Sequence, residues 1–154
     1  MAVCVAHRPR SKPRALDFYI AQFITQLGYD RATANLQEVY DKAISNGTLH
    51  LHKTAEECDL AVFDLVKQAS PDVCGGDEHG RSEFAEALRR ATGKTFNSVP
   101  QGWPLSTALA SLEARLLDGV IRHNHCPLVS YYVESLLVED TPSGDRRLKK
   151  RDTD

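Results

Sequence analysis

Two hydrophobic periods run along this chain, and the change from one to the other organises its first reading. In "ALDFYIAQFITQLG" (15–28) the apolar positions Phe18, Tyr19, Phe23, Ile24 and Leu27 fall on one side of a 3.6-residue repeat. That pattern predicts a helix stopping at Gly28. "RATANLQEVYDKAISNG" repeats it with Leu36, Val39, Tyr40 and Ile44 before Gly47, so the two segments read as an N-terminal helical pair. "TLHLHK" alternates with period two and predicts a short strand. Thr54 followed by Glu57 is a capping box that opens a third helix, expected to bury Leu60, Ala61, Phe63, Leu65 and Val66 before Pro71.

From residue 71 onward short strands alternate with helices. "PDVCGGDE" predicts a strand running into a glycine turn, and "RSEFAEALRRATG" a helix closed by Gly93. "KTFNSVPQ" reads as a strand, "PLSTALASLEARLLDG" as a helix closed by Gly119, and "VIRH" as extended. Pro127 starts a helix in "PLVSYYVESLL", and "LLVED" extends again before the turn "TPSGD". Such alternation predicts an α/β fold with a small central sheet flanked by helices and preceded by the helical pair.

Composition narrows the class. A chain of 154 residues with 42% hydrophobic content can bury one core, and its net charge of −2 excludes a general polyanion binder. The charge is uneven, however. "HRPRSKPR" (7–14) and "RRLKKR" (146–151) are basic without an acid. They divide the chain into a basic flexible arm (1–14), one α/β domain (15–145) and a basic polar tail (146–154). Either run is a solvated terminus or a contact for nucleic-acid phosphates; Arg146, Arg147, Lys149, Lys150 and Arg151 are the candidates for the latter. Cys4, Cys58, Cys74 and Cys126 form no CxxC pair, and Cys58 and Cys74 sit in apolar surroundings as free thiols. With no signal peptide and no apolar run of membrane-spanning length, a cytoplasmic protein is expected.

Three stretches carry candidate chemistry. "RHNHCP" (122–127) holds His123, Asn124 and His125 contiguously, whereas HNH nucleases draw these residues from separate elements, so adjacency argues nothing. His50 and His52 share a strand face and, with His79, His123, His125 and Cys126, raise the question of zinc. No second ligand pair stands at knuckle spacing, and a polar strand face accounts for both histidines. In "CGGDEHG" two glycines let the chain turn after a strand and leave Asp77 and Glu78 at the C-terminal sheet edge, where α/β proteins place ligands. Those carboxylates suit Mg²⁺ or Mn²⁺; the plainer reading is a solvated turn that caps the helix from Arg81. Trp103, in "VPQGWP", reads as a loop anchor.

In its order of features the chain from Val99 resembles the C-terminal nuclease domain of phage terminase large subunits. "VPQGWPLSTALASLEARLLDGVIRH" is similar to that family's Pro-Gln-Gly-aromatic turn, Leu- and Glu-rich helix and "GRLRH" strand. "NHCPLVSYYVESLLVEDTPSGDRRLKKRDTD" resembles the following "NPVL" helix start, "NVVV" strand, "DPAGN" turn and lysine-rich segment. Upstream the likeness is looser and reaches about residue 40. The resemblance implies an RNase H-like sheet and a two-metal, Mg²⁺- or Mn²⁺-dependent DNA endonuclease site built from acids on a first strand, a middle strand end and an Ile-Asp-Gly helix start. Asp77 matches the middle acid, with Glu78 beside it. The other two acids have no counterpart, unless Asp152 or Asp154 folds back, and the phosphate-binding ATPase half is not seen. Two functions therefore stand open. One is an incomplete or weakly active nuclease module that binds double-stranded DNA weakly and non-specifically. The other is a non-catalytic phage-derived protein that binds and inhibits or regulates a host or phage protein.

Overall fold

A computed structural model describes residues 1–9, 15–77, 82–99, 106–140, 142, 144 and 146–150, the last five by backbone alone. Its elements run β1 (Ala2–His7), β2 (Leu16–Thr25), α1 (Gln26–Asp30), α2 (Ala34–Ser45), β3 (Leu49–His52), α3 (Ala55–Ala69) and β4 (Cys74–Gly76). They continue with α4 (Ser82–Thr92), β5 (Phe96–Ser98), α5 (Ser106–Leu117), β6 (Ile121–His123), α6 (Pro127–Glu134), β7 (Leu136–Asp140) and β8 (Arg146–Lys150). The α/β class and the helix-flanked sheet are as expected, but the start of the chain is not.

Residues 15–28, expected as a helix, form the ten-residue β2 and the one-turn α1. β2 is the hub of the main sheet. β1 pairs antiparallel along one edge, while β6 and β3 pair parallel along the other, β6 at Leu16–Phe18 and β3 at Gln22–Thr25. A strand covered on both faces carries apolar residues at odd and even positions alike, and a helical period can be read into such a run. Ala21 and Phe23 face one core cluster with Val62, Phe63, Val66 and Leu88, from α3 and α4. Ile20 and Ile24 pack against the other, formed by Tyr40, Ala43, Leu49, Cys126 and Leu128 on α2, β3 and α6. Aromatic and β-branched content in "FYIAQFIT" was the signal that favoured a strand.

Two more segments depart from expectation. Ala2–His7, placed in the basic arm, is the edge strand β1; residues 10–14 of that arm lie outside the described residues. Arg146–Lys150, placed in the polar tail, is β8, paired antiparallel with β7. α2 and the helices after it follow the sequence pattern. At α3, Glu57 N–H donates to the Thr54 hydroxyl (3.1 Å), and the Glu57 carboxylate accepts from Lys53 N–H (2.7 Å), one residue before the cap itself. Leu60, expected in the core, is 54% exposed, and Cys58 and Val62 take its place. Gly93 and Gly119 end α4 and α5 at φ +70° and +65°, where a side chain would be strained. Tyr40 is buried between α2 and α6; that burial first, and Tyr132 next, push its hydroxyl up to about 12.

Candidate functional site

β4 and β5 form a separate two-stranded parallel sheet, in register Cys74↔Phe96, Gly75↔Asn97 and Gly76↔Ser98. The two glycines lie inside β4 and not in a turn after it, and neither is among the glycines of positive φ. What marks them is proximity to β5. A Cβ on Gly76 would stand 2.9 Å from Phe96 Cζ, and one on Gly75 would stand 3.1 Å from the Asn97 carbonyl oxygen. "CGG" is therefore a close-packing motif. Asp77 follows the last residue of β4 and is exposed, at the position expected from the sequence. Glu78, His79 and Arg81 lie outside the described residues, as do Trp103, Arg151, Asp152 and Asp154.

A groove of about 630 Å³ runs beside Asp77. All of Met1–Ala6 lines it, as do Val73–Asp77, and Val62, Val66, Phe84 and Leu88 supply apolar side chains from α3 and α4. No residue of β2 lines it, so the groove lies on the side of β1 away from its sheet partner.

The histidine stretches resolve differently. His50 and His52 do share a face of β3, and both stack on Phe23, at centroid distances of 5.2 and 6.0 Å. Burial first, and then the neighbouring His52, hold the His50 imidazole below its ordinary pKa. His52 Nε2 is buried without a hydrogen-bond partner among the described residues. Within that same set no three His, Cys, Asp or Glu side chains gather as a metal-binding group.

In "RHNHCP" the deciding residue is Asn124, whose role the sequence did not disclose. Its Oδ1 accepts from Ile20 N–H (3.1 Å) and its Nδ2 donates to the Ile20 carbonyl (2.8 Å). The side-chain amide thus stands in for a strand residue between β6 and β3 on that edge of β2. Leu16 N–H is met by Val120 O before it, and Gln22 N–H by Thr48 O after it. His125 adopts φ +51° and its N–H bonds His123 Nδ1 (3.1 Å), a local turn that leads into Pro127 at the start of α6. Arg122 spans to Asp17 with two bonds of 2.7 and 2.9 Å. The stretch is a structural splice, in agreement with discarding the nuclease motif.

Four of the five candidate phosphate contacts, Arg146, Arg147, Lys149 and Lys150, fall on β8. Its register sets Arg146 opposite Asp140 and Arg147 opposite Glu139, whereas Lys149 and Lys150 stand opposite Leu137 and Leu136.

No family model matches the sequence, and no curated protein matches it. Among solved structures, that of the HK97 bacteriophage large terminase is similar at a TM-score of 0.77 and 18% identity, covering 97% of this chain. The fold is terminase-like. This chain spans 32% of the length of the HK97 protein. At 97% coverage the likeness takes in most of residues 1–39, which the motif resemblance had left aside. The terminase-like fold thus includes β2, the strand the hydrophobic period had hidden.

Proposed function

We propose that this chain is a DNA-engaging module of the terminase type whose described residues do not by themselves make a two-metal centre. The observation that carries this reading is Asp77, exposed at the C-terminal end of β4 within a terminase-like fold. Two-metal hydrolysis needs several carboxylates to hold both ions and to set the attacking water in line with the leaving oxygen. Among the described residues no such group of carboxylates gathers, at Asp77 or elsewhere. No hydrolytic step follows from this geometry. The expected result with plasmid and Mn²⁺, the more permissive ion, is no cleavage above a protein-free blank. Cleavage by the wild type that Asp77→Asn abolishes would overturn the proposal and make the chain a nuclease.

DNA engagement rests on β8. Neutralising up to four phosphates with Arg146, Arg147, Lys149 and Lys150 gives a log–log salt slope of at most about −3.6, an affinity loss on the order of 10² between 50 and 200 mM salt. Lys149 and Lys150, set opposite leucines, are expected to matter more than Arg146 and Arg147, set opposite acids. Fluorescence anisotropy with a labelled duplex of arbitrary sequence measures both effects. A binding curve indifferent to salt, or to Lys149→Gln with Lys150→Gln, would remove DNA from the reading.

A second reading, a non-catalytic protein that acts by binding another protein, is favoured by one specific feature. It is the edge of β1 beside the groove, which no described strand pairs.

A further inference from the structure

We infer that His123 and His125 form a two-imidazole site for one late first-row divalent metal ion (Ni²⁺, Cu²⁺ or Zn²⁺) on the turn between β6 and α6. Their ring centroids stand 4.6 Å apart, with the planes tilted by 52°. Two imidazoles that ligate one ion through nitrogens about 2.0–2.1 Å from it hold their centroids roughly 4.5–5 Å apart. The pair therefore has the separation of a chelate before any ion arrives. Both residues are exposed, so a hydrated ion reaches them. Imidazole nitrogen suits these three ions, whereas Mg²⁺ and Mn²⁺ prefer oxygen.

The backbone holds that separation. In a regular strand, side chains two residues apart leave the chain about 6.6–6.8 Å from one another. Here His125 takes φ +51°, the left-handed region that is costly for a residue with a Cβ, and the turn brings the two rings closer than a strand would. Strained backbone persists where its surroundings over-determine it, and such positions cluster at functional sites. The surroundings are visible on both sides. Asn124, between the two histidines, is fixed to both backbone groups of Ile20, and the His125 carbonyl accepts from Asn46 Nδ2 at 3.4 Å, at the end of α2. Strand alternation sends Arg122 to the other face of β6, where Asp17 takes two of its bonds, so its charge is turned away from the pair.

The hydrogen bond within the turn gives metal binding a signature of its own. His123 Nδ1 accepts from the His125 N–H at 3.1 Å, so the neutral ring carries its proton on Nε2 and its lone pair on Nδ1. An ion bound at Nδ1 displaces the N–H. An ion bound at Nε2 leaves the ring proton on Nδ1, which can then no longer accept. Either way the His125 N–H is released to solvent. The other histidine pair at this spacing, His50 and His52, lies against Phe23 at 5.2 and 6.0 Å, with His52 Nε2 buried, and offers no such open pair. Among the described residues no third His, Cys, Asp or Glu completes a group with His123 and His125, so water fills the remaining positions and the ion exchanges with solvent. This inference concerns the turn alone and does not depend on DNA engagement or on Asp77 holding a metal.

The test uses the full chain at neutral pH with nickel or zinc chloride and no DNA. Calorimetric titration with Ni²⁺ is expected to show binding that His125→Asn weakens at least about tenfold, because the second imidazole acts intramolecularly at high effective concentration. Asparagine visits the left-handed region readily, so the turn survives this change. His123→Asn should weaken binding as much, and His50→Gln should leave it unaltered. With Zn²⁺, which is diamagnetic, NMR of the wild type is expected to show the His125 amide proton moving upfield and losing its exchange protection. The Ile20 amide, held by Asn124, should keep its own. That measurement needs no variant and decides even if a substituted chain fails to fold. Four results overturn the inference: no Ni²⁺ binding by the wild type, unchanged affinity in either asparagine variant, an equal loss in His50→Gln, or a His125 amide unmoved at saturating Zn²⁺.

Discussion

The main sheet and the small β4–β5 sheet are built from the same kinds of residue, yet among the described residues β2 is paired along both edges and β4 along one. Along β2 every stretch of edge has a partner, even where the neighbouring strands fall short and the Asn124 amide takes the place of backbone. Both of its faces are sealed by buried clusters, and in one of them Leu128 and Ala43 are each 0% exposed. β4 has three residues, two of them glycine, and one partner strand among the described residues. Val73, just before it, is 71% exposed. Dense packing is concentrated where the fold must be unique, and the thinly packed sheet carries both Asp77 and the groove. Backbone that is incompletely paired is what a partner can still bind.

Side-chain truncation tests this contrast most severely. Leu128→Ala removes a fully buried side chain and is expected to cost about 2–5 kcal/mol in urea unfolding. Val73→Ala, just before the small sheet, is expected to fall within about 0.5 kcal/mol of the wild type. Equal losses would show that the small sheet is packed as tightly as the large one.

Asn124→Ala comes next. It leaves the Ile20 N–H and C=O without their partners, at about 1–3 kcal/mol for each group that stays dry. Asn124→Asp sharpens the test, because the carboxylate accepts from Ile20 N–H but cannot donate to the Ile20 carbonyl. That variant should be destabilised more at pH 7 than at pH 3, where the protonated acid regains a donor. A harmless Asn124→Ala would mean that the gap between β6 and β3 is filled by water at no cost, and the edge of β2 would then resemble that of β1.

The smallest expected effect is on pH dependence. His50 is held below its ordinary pKa by burial against Phe23 and by His52, so the fold prefers the neutral ring. Its contribution is fully present above the unfolded value near 6.5 and is lost as pH falls through the lower folded one. Urea midpoints between pH 7 and pH 5 should therefore drop for the wild type, and drop less for His50→Gln. Identical slopes for the two chains would place the titration elsewhere.

How far the sequence reached follows from the range of the forces involved. α2 to α6, the short strands β3 to β7, the Thr54 cap and the position of Asp77 were all legible. Helical period, caps, glycine stops and strand–turn punctuation act within a few residues of chain, so a local pattern reports them. β2 was misread because burial on both faces erases the period-two signal, and burial is a property of α2, α3, α4 and α6 together. β1 and β8 were read as solvated termini because a strand's stability lies in a partner, and "AVCVAH" and "RRLKK" carry no signal that one exists. The service Asn124 gives to Ile20 acts across 104 residues. The glycines of β4 were noticed for a turn and serve instead to let Phe96 approach, a contact only the folded pair of strands defines. The sequence by itself determined where α2 to α6 form and where a carboxylate meets a strand end. Tertiary structure alone decided which strand is central, which strands pair with it and which side chains replace missing backbone, because each of these is a contact between residues far apart along the chain.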